Sequence, residues 1–133
     1  MSEALPEELL RFLYACVDSI EELQVLILLY ERPHERPNEH WTIETLSSEL
    51  RSSVPSISKR LRDLSRKRVL QARAIAEKEI RYLPFSPEVA RIVEQVAQYY
   101  KTYPYRVIEA IFSKPTNTLH TLADAFRFKK DEE

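Results

Sequence analysis

Apolar positions recur every three or four residues along most of this 133-residue chain, a period that predicts a mainly helical protein. A first helix is expected from Leu5 or Pro6 to about Val17, with Pro6 in its first turn, Glu7 and Glu8 at the positive end of its dipole, and Leu9, Leu10, Phe12, Leu13 and Cys16 inward. Ser19 and Glu22 have the spacing of a capping box, opening a second helix through about Tyr30. That helix carries Leu23, Leu26, Ile27 and Tyr30 at core spacing, and Val25, Leu28 and Leu29 make it apolar almost all round, as a central buried helix should be.

The run Glu31 to His40, ERPHERPNEH, has two prolines and no apolar residue and is expected to be a loop. Trp41 to Ile43 alternates briefly, as a short strand would. A third helix follows from Glu44 to about Arg51, with Leu46 and Leu50 inward. Next comes SSVPSISKRLRDLSRKRVL, Ser52 to Leu70, with Ser52 or Ser53 as N-cap, Pro55 tolerated in the first turn, and Val54, Ile57, Leu61 and Leu64 at helical spacing. Val69 to Ala74 and Glu79 to Leu83 read as the two strands of a hairpin. From Ser86, a cap followed by Pro87, a stripe of Val89, Ile92, Val93, Val96, Tyr99, Tyr100 and Tyr103 predicts a long helix to Pro104. It is expected to pack on the first helix or to pair with its counterpart in a homodimer. A short helix with Val107, Ile108, Ile111 and Phe112 follows, then a last segment with Leu119, Leu122, Ala123 and Phe126.

Charge changes this picture most. The chain has a net charge of only -1, yet residues 1–50 hold three Lys/Arg against eleven Asp/Glu, a net of -8. Residues 51–73 hold eight Lys/Arg against Asp63 alone, a net of +7, and residues 74–133 are balanced at nine of each. A local cationic stretch on an amphipathic helix is the electrostatic footprint of a polyanion binder, because phosphate contacts need clustered Lys/Arg and not a high overall pI. The alternative is that long basic side chains only solvate a helix face.

Taking Ile57, Leu61 and Leu64 as the inward direction, a rotation of about 100° per residue puts Pro55, Lys59, Arg62 and Arg66 opposite, with Ser52, Ser56, Arg60 and Lys67 on the flanks. Ser56, Lys59 and Arg60 are then candidates for base contact. Arg62, Arg66, Lys67 and Arg73 are candidates for phosphate contact, with the first-turn amides near Ser53 as a further phosphate site.

Two short helices joined by a tight turn, the second basic and followed by a hairpin, resemble a winged helix-turn-helix over residues 19–85, as found in small bacterial transcription regulators of the MarR-like and related types. The resemblance rests on ELQVLILLYERP, WTIETLSSEL, SSVPSISKRLRDLSRKRVL and QARAIAEKEIRYLPFSP. It implies a mainly α (α+β) single domain of residues 1–133, the winged-helix core at 19–85 flanked by an N-terminal helix in 1–18 and a helical extension in 86–133. It also implies duplex DNA as partner, transcription regulation as function, and a homodimer through the 86–104 helix. Two positions depart from the pattern. Where the family commonly has a glycine at the exit of its recognition helix, this chain has Lys67-Arg68-Val69, and its hairpin tip carries Glu77 and Glu79 around Lys78. Those departures support a competing expectation, a winged helix that docks an acidic protein partner with its basic face.

Composition narrows the rest. With no glycine in the chain, every glycine-rich phosphate loop is excluded. The lone Cys16 among apolar neighbours reads as a buried thiol. His34, His40 and His120 lack metal-ligand spacing, so no metal, cofactor or enzymatic activity is expected. No apolar run reaches the roughly 18 residues of a membrane span and no signal segment is evident, which predicts a cytoplasmic protein without a membrane partner.

Overall fold

A computed structural model describes residues 5–35, 39–75 and 79–114. It is mainly helical, with α1 (Glu7–Cys16), α2 (Ile20–Glu35), α3 (Ile43–Leu50), α4 (Val54–Arg66), α5 (Pro87–Thr102) and α6 (Pro104–Phe112). The expected terminal segment from Leu119 to Phe126 and the hairpin tip at Glu77 and Lys78 lie outside the described residues.

Local chemistry accounts for most helix starts. Thr42 and Thr45 cap each other reciprocally at the head of α3, Ser53 Oγ accepts the Ser56 N–H at the head of α4, and Ser86 Oγ accepts the Val89 N–H at the head of α5. At α2 the Glu22 N–H donates to Ser19 Oγ at 3.1 Å, but the Glu22 carboxylate accepts from the Asp18 N–H, one residue before its expected partner. Pro6 precedes α1 as its cap and is not in its first turn.

α2 is the central helix, packed on α3, α4 and α5, while α1 packs on α5 and α6. One apolar core runs through all of them, from Leu9, Phe12 and Leu13 through Leu23, Leu26 and Leu29 to Ile57, Leu61, Leu64, Ile92 and Val96. The stripe of α5 is used inside the chain: Val89, Ile92, Val93 and Val96 are buried, and α5 packs on α1, α2 and α6. Of the rest of the stripe expected to pair in a homodimer, Tyr99 and Tyr100 are half-buried and Tyr103 is 40% exposed. The other side of α5, with Glu88, Arg91, Glu94, Gln98 and Lys101, is polar. No helix among the described residues is long and apolar enough to cross a membrane.

Three expectations are corrected. α2 continues through Pro33 to Glu35 where a loop was expected. A proline near a helix end removes one backbone bond, and tertiary contacts hold this turn: Arg32 lies over the Trp41 ring at 3.7 Å, and the Trp41 indole donates to the Leu28 carbonyl at 3.2 Å. The two hairpin strands are reduced to the antiparallel bridges Leu70 with Pro84 and Ile75 with Ile80, and the short strand at Trp41 to a single bridge with Ile80. A 3-10 turn at Ala72–Ala74 breaks the first arm and Pro84 has no N–H to extend a ladder. The third correction is Val54, which stands 39% exposed at the first position of α4, so the inward stripe begins one turn later at Ile57.

Both α3 and α4 end in the left-handed turn that usually takes glycine. Arg51 has φ 54° and Arg68 φ 64°. At the first, Ser52 N–H donates to Ser47 O and Arg51 N–H to Ser48 O; at the second, Val69 N–H donates to Leu64 O and Arg68 N–H to Ser65 O. This is the Schellman arrangement twice, with buried Leu64 and Val69 supplying its apolar contact at α4. The exit of the basic helix thus takes the glycine-type turn without a glycine. Left-handed backbone costs a side-chain-bearing residue about 1–2 kcal/mol, partly offset by the greater freedom glycine has when unfolded. Arg68→Gly is accordingly expected to raise stability by roughly 0.5 kcal/mol, and Arg68→Val to lower it, as read from urea denaturation midpoints.

Candidate nucleic-acid interface

The outward side of α4 matches its rotational expectation. Ser53, Pro55, Lys59, Arg62 and Arg66 are all exposed, and Arg51 and Arg68 extend the row of cations past both helix ends. Asp63, the one acid of the stretch, is buried beneath them, with Lys59 Nζ at 2.9 Å and Arg66 Nη2 at 2.9 Å. Burial alone would raise Asp63, but the Lys59 hydrogen bond and the charges of Lys59 and Arg66 outweigh it and hold the carboxyl below its ordinary value. Both cations keep most of their side chains in solvent, Lys59 60% and Arg66 71% exposed, so each can turn to a second anion. Arg73 is exposed on the 3-10 turn beyond α4, its Nε donating to Gln71 Oε1 at 2.9 Å.

The flanks of α4 differ from expectation. Lys67 is only 3% exposed, and its ammonium donates to the Cys16 carbonyl at 2.8 Å, to Asp18 at 2.8 Å and to both oxygens of fully buried Glu22 at 3.1 Å. It is therefore removed from the phosphate contacts. All three of its donors point into the corner between α1 and α2, because Asp18 and Glu22 need a cation there. Lys114, just past α6, closes the same corner by donating to Asp18 at 2.6 Å. Partial burial would raise Asp18, yet the Lys114 and Lys67 hydrogen bonds bring it down to about 2. Burial keeps the Glu22 carboxyl above its ordinary value and pushes the Cys16 thiol well up.

Ser56 and Arg60, two of the three base-contact candidates, are turned onto α2. Glu21 accepts from Ser56 Oγ, from Arg60 Nε at 2.7 Å and from Ser52 Oγ, and Arg60 is only 23% exposed. Lys59 alone of that set points outward. The first turn of α4 also offers fewer amides than expected, since Pro55 has no N–H and the Ser56 N–H is taken by Ser53 Oγ. In the hairpin region Arg81 pairs with Glu79 at 2.7 Å, and His40 Nδ1 sits 3.0 Å from the same carboxylate.

Sequence reasoning missed Glu21 as a member of this site. Its signal was present: Glu21 and Glu22 open a helix that is otherwise apolar almost all round, and acids beside a buried stripe require cationic or hydroxyl partners. Desolvation would raise Glu21, but the donors from Ser52, Ser56 and Arg60 lower it to about 2. Glu21 thus adds stability that is full above its unfolded value near 4.5 and is lost as pH falls toward 2. The urea midpoint of Glu21→Gln should lie below that of the parent at pH 7 and converge on it as pH drops through this window.

Among the described residues no group of His, Cys, Asp and Glu could hold a metal ion. Comparison with protein-family models, with curated proteins and with solved structures returned no match.

Proposed function

We propose that this chain binds duplex DNA through the outward side of α4, and that the arrangement is a winged helix-turn-helix with a much reduced wing. One observation carries the reading: Lys59, Arg62 and Arg66 stand exposed in a row on α4, continued by Arg51 and Arg68, while Asp63 is buried beneath them. A row of cations with no exposed acid along the helix suits the backbone of a polyanion. The topology supports the fold reading, since α3 and α4 are joined by a three-residue turn and Ile80 bridges both Trp41 and Ile75 in the order a wing requires. In this reading Arg62, Arg66, Arg68 and Arg73 meet phosphates, and Lys59 faces the groove. Affinity is then mostly electrostatic and sequence discrimination modest, because Ser56 and Arg60 are engaged by Glu21. Regulation of transcription is what the MarR-like resemblance implies for such a binder. No part of the contact requires a dimer.

A second reading, an acidic protein partner on the same face, is favoured by one observation: the donors of α4 already hold two carboxylates, Glu21 and Asp63. A gel-shift with random duplex DNA at low salt separates the two. Retardation at micromolar protein supports DNA binding. Unretarded DNA, together with binding to an acidic polypeptide, supports the protein partner.

A further inference from the structure

We propose that Ser52, Ser56 and Arg60 form a second anion site at the head of α4, suited to a backbone phosphate of duplex DNA, that Glu21 fills and so withholds from the DNA. The inference rests on the DNA-binding reading above. Ser56 and Arg60 lie four apart on one edge of α4 and Ser52 in the turn before it, and their donors converge on a single carboxylate from the first turn of α2. Nothing within α4 itself requires that convergence: the Ser56 N–H is already capped by Ser53, and the Ile57 N–H donates to Ser53 O.

Two hydroxyls and a guanidinium around one point are a donor set for paired anionic oxygens. A carboxylate and a phosphodiester present such oxygens alike. The site borders the exposed row of Lys59 and Arg62 on the same helix, so a strand of DNA tracking that row passes its edge. Glu21 is 22% exposed and hence at the surface of the α2–α4 seam, so removing its charge opens the three donors to a phosphate from outside. Arg60 differs from Lys59 and Arg66 in having its guanidinium turned inward onto Glu21 at 2.7 Å and only 23% exposed, so it presents little charge to a polyanion. Glu21 thereby sets how many phosphates the helix can count.

The test titrates fluorescein-labelled duplex DNA with the parent chain, Glu21→Gln, Arg60→Ala and the double variant by fluorescence anisotropy across a salt series, with urea denaturation of each protein alongside. Glu21→Gln is expected to steepen the log–log salt slope by about one unit and to raise affinity roughly tenfold at 50 mM salt. Arg60→Ala alone is expected to leave the slope of the parent unchanged, and the double variant to return to it. An unchanged slope in Glu21→Gln, with the parent still binding, overturns the site and leaves Glu21 as a tie between α2 and α4; lowered stability without a slope change says the same. A slope reduced by one unit in Arg60→Ala alone also overturns it, since Arg60 would then already meet phosphate, and this arm decides the matter should Glu21→Gln be unfolded. If the parent fails to bind duplex DNA at all, the DNA-binding reading itself falls, an outcome distinct from these.

Discussion

Replacing Lys59, Arg62 and Arg66 together by alanine should weaken duplex DNA binding on the order of 10³-fold at 50 mM salt. Each of the three projects from α4 into solvent, and each phosphate neutralised releases condensed counterions from the duplex. Losing the phosphate contacts of Arg62 and Arg66 therefore flattens the log–log salt slope by roughly two units, and losing Lys59 from the groove weakens binding further. Stability is expected to fall by about 1–3 kcal/mol, because Asp63 is only 6% exposed and the variant removes both of its ion-pair partners. Anisotropy titrations at several salt concentrations, with a thermal melt of the variant, read both quantities. Unchanged affinity in a folded variant would contradict the assignment of this face.

The second large effect belongs to a residue of the same basic stretch with the opposite role. Lys67→Met should destabilise the fold by about 3–5 kcal/mol, a large share of the 5–15 kcal/mol that holds a domain together. The reason is the company Lys67 keeps: removing its ammonium leaves Glu22 fully buried without a cation and the Cys16 carbonyl without its donor. Replacing both members by apolar residues, Lys67→Met with Glu22→Met, should recover much of the loss, because an apolar pair of similar volume can substitute for a buried ion pair while a lone buried charge cannot. Urea denaturation of the single and double variants tests this. A single variant within about 1 kcal/mol of the parent would mean that Lys67 is solvated in solution, and would return it to the phosphate-contacting set.

These two variants mark where the sequence was legible and where it was not. The outward row was legible because it depends only on helical rotation: once Ile57, Leu61 and Leu64 define inside, Lys59, Arg62 and Arg66 must lie outside, as they do. The starts of α4 and α5 were legible for the same local reason, Ser53 and Ser86 each standing as a cap just before a proline and an apolar-periodic segment. Lys67 and Arg60 were not, since their roles are set by acids 45 and 39 positions away, and rotation about one helix cannot say what a flank faces. The hairpin failed for a different reason. Leu70, Ala72 and Ala74 alternate as a strand should, but alanine gains little from a sheet, and a 3-10 turn with a proline opposite leaves only bridges. The left-handed exit at Arg68, with φ 64°, was not legible, because no glycine marks it in the sequence.

The acid-rich N-terminal part gains a purpose from this arrangement. Asp18, Glu21 and Glu22 gather at the start of α2, and between them they hold Lys67 and Lys114 in the corner beside α1 and Arg60 on the edge of α4. The charge segregation evident along the chain is thus partly cancelled in space. What remains uncancelled is the row on the outer side of α4, and the functional reading stands on that row alone.

The measurement that bears on it most directly is the salt dependence of the parent chain's affinity for a random duplex of about 20 base pairs. With Lys59, Arg62, Arg66, Arg68 and Arg73 available, binding at micromolar protein is predicted at low salt, weakening along a log–log slope of roughly -3 to -5. Absence of binding at low salt, or a slope shallower than about -1, would contradict the account.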